Sequence, residues 1–336
     1  MSKIGVLGAG TWGCALAILL AGNGHDVTIW TKIEKEAQAL KEDRNNIKNL
    51  PGAVLPPQID ITLDLEQLCR DKDIIVMSVA SPFIRQTSKE ASPFIKKDQI
   101  IVNVSKGIED GTLYTLSEII KDEIPQADVA VLSGPSHAEE VSRLVPTTVV
   151  VGAETVETAS FIQDLFMNEV FRVYTSPDII GIELGGSLKN VIALSAGILD
   201  GLGYGDNTKA ALITRGIAEI SRLGIAMGGK LETFAGLSGI GDLFVTCNSK
   251  HSRNWNAGYL IGKGRSMEEA MKEVNQVVEG VNSAKAALAL SKKFNIEMPI
   301  VEQINEVLFG GKSPSDAVND LLLRDKRKEY KTLTWD

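Results

Sequence analysis

The chain has 336 residues, 44% hydrophobic and 23% charged, with a net charge of −8 from 35 basic and 43 acidic side chains. That fits a globular protein with room for two domains, and the acidic balance excludes a general nucleic-acid or anionic-membrane surface while leaving a small anionic substrate open. Three scattered cysteines (Cys14, Cys69, Cys247), a poor signal-peptide start "MSKIGVLGAG" and no apolar run of ~18 residues point to the reducing cytoplasm and away from a metal site or a membrane span.

In chain order, β-branched runs predict strands over 4–7, 27–30, 74–79, 100–104, 129–132 and 147–151. Helix-like stretches, such as 12–21, 33–42 and 113–123, separate most of them. Such alternation predicts a parallel sheet with helices on both faces. A further strand over 171–174 closes this half. After about Pro177 the β-branched runs stop, and helical spacing dominates over 187–202, 206–224, 266–274, 280–294 and 299–309. Gly-rich breaks, "GLGYGD", "GGK" and "GLSGIGD", divide these helices. The expected organisation is an α/β domain over 1–177 and an all-α domain over 178–336. The tail "RDKRKEYK" (324–331) reads as the solvated end of a helix.

"KIGVLGAGTWGCALA" sets Gly8, Gly10 and Gly13 in a GxGxxG frame between a strand and a helix, the context that gives the motif meaning. Gly8 permits the tight turn, Gly10 lets backbone approach a pyrophosphate, and Gly13 lets helix and strand pack closely. The helix N-terminus then offers N–H groups to phosphates. At the end of the second strand, where NAD-specific proteins carry an acid, the chain reads "WTK". Lys32 there suits a 2′-phosphate; the blander alternative is an ordinary exposed lysine. The reading is NADP, with NAD tolerated.

Ligands sit beyond the carboxyl ends of strands in an open parallel sheet. The loops there are "SVASP" (78–82), "NVSKG" (103–107) and "LSGPSHAEEV" (132–141), which bring Lys106, Gly134, Ser136 and the backbone near Ala138. Ser and Gly are also common in plain turns. Asp242 and Thr246, four apart in "GLSGIGDLFVTC", share a helix face, although Asp242 could simply cap that helix. "HSRNWN" groups Ser252, Arg253 and Asn254. Arg makes bidentate contacts with phosphate or carboxylate, and is also common in exposed loops.

The stretch "GGSLKNVIALSAGILDGLG" is apolar almost all round, yet carries Lys189 and Asn190 in what reads as its first turn. Histidines are few. His25 reads as a surface residue, His137 lies near the expected crevice, and His251 adjoins Arg253. Acid–base work then falls to a lysine whose pKa burial lowers; the bland alternative is a lysine that snorkels to the surface.

Together "GAGTWGCALA", "NVSKGIE", "SGPSHAEEV", "ELGGSLKNVIALSAGILDGL", "GLSGIGDLFVTC", "HSRNWNAG" and "VVEG" resemble bacterial NAD(P)-dependent glycerol-3-phosphate dehydrogenases, collinearly over nearly the whole chain. The resemblance implies a Rossmann domain followed by an all-helical domain, in the cytoplasm. It implies reversible hydride transfer between NAD(P)H and dihydroxyacetone phosphate, giving sn-glycerol 3-phosphate for phospholipid synthesis. By the same match Lys189 is the proton donor and acceptor, with Asn190 and Asp242 orienting it and Thr246 beside them. Lys106, Gly134, Ser136, Lys189, Asp242, Ser252, Arg253 and Asn254 line the substrate site. Gly8, Gly10, Thr11, Trp12, Gly13, Lys32, Lys106, Ala138, Arg253, Val277 and Glu279 meet the cofactor.

Three positions depart from the family pattern: Lys32 where arginine is common, Ala80 where proline is frequent, and Asn49 where an aromatic or histidine is common. Two other functions remain at this stage. A sibling dehydrogenase would act on another small hydroxy acid, and an NADP sensor would bind cofactor without oxidising it. A homodimer is expected on prevalence alone.

Overall fold

The structure is a computed structural model and describes residues 1–44, 50–326, 328, 329 and 335. Asn49 lies outside the described residues.

Eight strands form one sheet: β1 (Lys3–Leu7), β2 (Asp26–Trp30), β3 (Asp60–Thr62), β4 (Ile74–Met77), β5 (Ile100–Asn103), β6 (Asp128–Ser133), β7 (Thr147–Gly152) and β8 (Phe171–Ser176). Their order is β3-β2-β1-β4-β5-β6-β7-β8. The first six in space follow the doubly wound nucleotide-binding order. The strands read as unbroken apolar runs because helices cover both faces. Ile4, Val6 and Ile29 pack into one buried layer, while Leu7, Ile75 and Met77 pack into the other.

One expectation needs correction. The sheet is not wholly parallel, since β7 runs antiparallel to β6, pairing Val131 with Gly152 and Ser133 with Val150. The link over 134–146 stays at the carboxyl rim and holds just the four-residue helix Ala138–Val141. It contains no crossover helix long enough to carry the chain back for a parallel entry. The helix Val156–Phe166 supplies such a crossover, and β8 is parallel to β7. The short edge strand β3 was not legible in the sequence.

Among the described residues from 178 onward, every element is helical. The centre is Ile179–Leu202, a 24-residue helix packed by Asp206–Ala226, Asp242–Asn248, Arg253–Gly262 and Glu279–Lys293. It is long and apolar enough to cross a membrane, but 89% of its apolar window is buried inside the protein. It begins well before residue 187. Asp178 caps it by accepting from Gly181 N at 3.0 Å, and Gly185 and Gly186 lie inside it. A Cβ on Gly185 would come within 2.5 Å of Ser238 O. These glycines are small for packing and do not break the helix. The last helix ends at Leu322, so the charged tail, where described, follows the helix and does not extend it.

Candidate active site

The parallel strands β1, β4, β5 and β6 end at one rim, from which the loops 8–10, 78–83, 104–107 and 134–137 emerge. The helices Ile179–Leu202 and Asp242–Asn248 meet that rim. Asp242 follows a π-helical turn, Leu237–Gly241, an irregularity that recurs at functional sites. Gly239 makes that turn possible, since a Cβ there would lie 2.1 Å from Phe234 O.

Asp242 is 1% exposed and stands between two ammoniums. Its Oδ1 lies 2.6 Å from Lys189 Nζ and its Oδ2 lies 2.5 Å from Lys106 Nζ. Lys189 Nζ also donates to Thr246 Oγ1 at 2.6 Å, and that hydroxyl donates to Asp242 O at 2.6 Å. Asp242 therefore does not cap its helix. The earlier helix start puts Lys189 mid-helix and 6% exposed, so it cannot reach solvent by snorkelling. Burial pushes its pKa down from 10.5 to about 8; Asp242 opposes that shift and Lys106 reinforces it. Burial also works against the Asp242 charge, yet the two lysines hold its carboxyl below the usual range. Of three ammonium donors on Lys189, two are engaged and one is left for an incoming oxygen.

Gly134 O accepts from Ser136 Oγ at 3.0 Å and faces Lys106 Nζ at 3.4 Å. Ala138 opens the short helix after His137. The His137 ring lies 6.0 Å from that of His251, its Nε2 has no hydrogen-bond partner, and burial followed by the Lys189 charge pushes it down to about 4. His25 is tied to Ser2 and Leu165, on the strand-2 turn.

The "HSRNWN" residues divide. Ser252 caps Arg253–Gly262 by accepting from Trp255 N at 3.2 Å. Arg253 is exposed. Asn254 is buried and bridges three helices: its Nδ2 donates to Asn190 Oδ1 at 2.9 Å and its Oδ1 accepts from Gly280 N at 2.8 Å. The expectation that Asn190 orients Lys189 is therefore corrected. Asn190 bonds Asn254, and the groups that hold Lys189 are Asp242 and Thr246.

The glycine frame fits a dinucleotide. Gly8 has φ +113, and a Cβ on it would meet Ser78 backbone at 2.9 Å; a Cβ on Gly13 would lie 2.0 Å from Gly8 O. Around Gly10 there is nothing within 4 Å of a built Cβ, and the helix Thr11–Gly22 starts there without a side-chain cap. Its first turn carries half-buried Thr11 and Trp12. Lys32 Nζ is paired with Glu90 at 3.0 Å, both on the surface of this half. Ala80 keeps φ −61 and ψ 147, the backbone that proline would impose. Glu279 is not free either: it accepts from Ser81 Oγ at 2.6 Å, with half-buried Val277 just before it.

Glu183 and Ser187 escaped the sequence reading. Both are buried on the Lys189 helix and bond residues of the α/β half. The signal that flagged Lys189, a charge in an apolar helix, was present for Glu183 too.

The family model described as NAD-dependent glycerol-3-phosphate dehydrogenase N-terminus matches residues 3–159, and the corresponding C-terminus model matches residues 178–319. A glycerol-3-phosphate dehydrogenase [NAD(P)+] of Agathobacter rectalis is 61% identical over 335 residues, covering 100% of both chains. Another from Fusobacterium nucleatum is 57% identical over 334 residues, covering 99% of this chain and 100% of that one. The crystal structure of glycerol-3-phosphate dehydrogenase from Coxiella burnetii superposes with a TM-score of 0.93 at 36% identity, over 96% of this chain and 99% of that one.

Proposed function

The chain belongs to the NAD-dependent glycerol-3-phosphate dehydrogenase family, and we propose that it interconverts dihydroxyacetone phosphate and sn-glycerol 3-phosphate, with Lys189 exchanging the proton at the C2 oxygen. The observation that carries this reading is a buried lysine, 2.6 Å from a buried carboxylate, poised at about 8. A general acid–base works best with a pKa near the working pH. During reduction the free N–H of Lys189 gives its proton to the C2 oxygen; during oxidation the neutral amine takes it back. Asp242 stays ionised between the two lysines and Thr246 keeps the amine aimed. Lys106 adds positive field where negative charge develops.

Arg253 suits the substrate phosphate, with the first-turn N–H groups of Arg253 and Asn254 and the Ser252 hydroxyl, whose own proton is free while it caps. Gly134 and Ser136 complete the wall. When bound, the nicotinamide supplies or accepts the hydride. Gly8, Gly10, Thr11, Trp12 and Gly13 would hold the pyrophosphate, Lys32 the 2′-phosphate, and Lys106, Ala138, Arg253, Val277 and Glu279 the nicotinamide side. NADP is the preferred cofactor in this reading and NAD is also used. The division of labour is cofactor binding over 1–177 and substrate binding over 178–336. The compartment is the cytoplasm, supported by three widely spaced, buried cysteines, and the assembly a homodimer, supported by the prevalence of such dimers.

The test is loss of nicotinamide absorbance with dihydroxyacetone phosphate, run in parallel with NADPH and NADH. Rapid oxidation is expected, faster with NADPH. Oxidation only with another small carbonyl acid, or cofactor binding without turnover, overturns the reading.

A further inference from the structure

We propose that Ser187, backed by Glu183, is a positioning residue of this reaction: it locks the loop carrying Lys106 to the helix carrying Lys189, and so sets the two ammoniums across Asp242. The inference rests on the reaction proposed above and extends it to residues that touch neither substrate nor cofactor.

Lys106 sits on a loop anchored on both sides by one helix. On its C-terminal side, Gly107 N donates to Ser187 Oγ at 2.9 Å, and Ser187 Oγ donates to Gly107 O at 3.1 Å. A single hydroxyl thus pins both polar groups of one residue. On the N-terminal side, Asn103 accepts from Ser105 N at 3.1 Å and donates to Ser105 O and to Glu183 Oε1, each at 3.2 Å. Glu183 is fully inside the protein and also accepts from Ser117 N at 2.9 Å and Ser117 Oγ at 2.5 Å. Burial raises its pKa and these bonds from Ser117 oppose the rise. Between the anchors, the Lys106 stem runs past Gly186, where a Cβ would lie in ordinary contact with Lys106 Cδ and Cε at 3.6 Å and would press on Ser133 Oγ at 2.9 Å.

Glu183, Gly186, Ser187 and Lys189 are four positions of one rigid helix, so the separation of the two ammoniums is transmitted through backbone geometry. Asp242 bridges the pair with one oxygen each, an arrangement that tolerates little drift. The titratable groups facing Lys189 are Asp242, Lys106, Cys247 and His137; burial keeps the last two neutral near pH 7, the thiol pushed up to about 12 and the imidazole down to about 4, so the charges are Asp242 and Lys106. Release of the loop lets Lys106 move off. Lys189 then keeps Asp242 while losing the like charge that depresses it, and its proton is held more tightly.

The experiment compares Ser187→Ala and Asn103→Ala with the wild type and with Ser187→Thr, which keeps the hydroxyl. The two loss variants attack opposite ends of the loop, so failure of one to fold leaves the other. Nitrogen-15 NMR of the lysine ammoniums, with the Lys189 signal identified by its loss in Lys189→Ala, reads the titration directly and without substrate. The midpoint of Lys189 is expected to rise by about one pH unit in the loss variants, of the order that a nearby charge imposes, and to return in Ser187→Thr. In parallel, kcat for glycerol 3-phosphate oxidation near neutral pH is expected to fall about tenfold, with cofactor KM within twofold. An unchanged midpoint, even with a lower Tm, would overturn the proposal and reduce Ser187 to packing. An inactive wild type would sink the reaction but not the positioning, because the midpoint is measured independently.

Discussion

The glycines where Ile179–Leu202 crosses Arg253–Gly262 give the sharpest test of how packing sets the site. A Cβ on Gly197 would lie 2.0 Å from Trp255 O and 2.8 Å from Tyr259 N, while one on Gly258 would lie 2.0 Å from Leu194 O. Ordinary contact starts at 3.4 Å, so Gly197→Ala forces the two helices apart by roughly 1.4 Å. Two effects of opposite sign compete. Alanine is better than glycine inside a helix by about 1 kcal/mol. Overpacking against rigid backbone costs typically 1–3 kcal/mol and sometimes more, and here no flexible side-chain end is available to yield. With backbone on both sides the cost falls at the top of that range, about 3 kcal/mol, so the clash wins by about 2 kcal/mol, a Tm loss of roughly 4–8 °C at the sensitivity of large domains. One helix carries Lys189 and the other carries Ser252 and Arg253, so the same displacement widens the proposed gap between proton donor and phosphate holder. A misplacement of about 1 Å can cost on the order of 10²-fold in rate. Thermal unfolding followed by circular dichroism, together with kcat/KM for dihydroxyacetone phosphate, measures both. A variant with wild-type Tm and kcat/KM within twofold would refute the close crossing and its link to the site.

Further predictions concern chemistry and pH. Lys189→Ala should lower kcat by roughly 10²–10⁴-fold, the range for a lost acid–base group, with NADPH affinity within twofold; near-normal kcat would remove it from proton transfer. Lys32→Ala should weaken NADPH more than NADH in fluorescence titrations, and equal weakening would leave Lys32 to its surface pair with Glu90. Glu219, buried where it accepts from Ile300 N and Val301 N, is raised by burial from 4.5 to about 7. Its folded form holds the proton more tightly than the unfolded chain, so its contribution is full below pH 4.5 and is lost as pH rises towards 7. Glu219→Gln should flatten that fall in Tm across the interval, and an unaltered slope would count against the buried carboxyl.

Local signals carried much of the architecture. Strand and helix alternation needs only runs of β-branched residues and periodic apolar ones, and the glycine frame needs only its place between β1 and the first helix. Lys189 was visible because a charge in an apolar stretch conflicts with burial, and the conflict is local. Asp242 and Thr246 were visible because i,i+4 residues share a helix face. Other features depend on partners distant in the chain. The three residues of β3 are too few to show a pattern, and the turn of β7 against β6 depends on how a link crosses the rim. Helical spacing shows only from residue 187, while the structure starts the helix at Ile179 with Ser238 and Ser133 pressed against Gly185 and Gly186, which moves Lys189 from a first turn to the buried middle of the helix.

By itself, the amino-acid sequence determined the fold class and the nucleotide-binding turn, because each is encoded by spacing within a few turns of chain. Only the tertiary structure decided who holds whom. Asn254 takes Asn190 away from Lys189, one carboxylate serves two lysines 136 and 53 residues away, and Ser187 grips Gly107 80 residues before it. Hydrogen bonds and desolvation act over a few ångströms of space without regard to separation along the chain, so those pairings exist only once the two halves have packed.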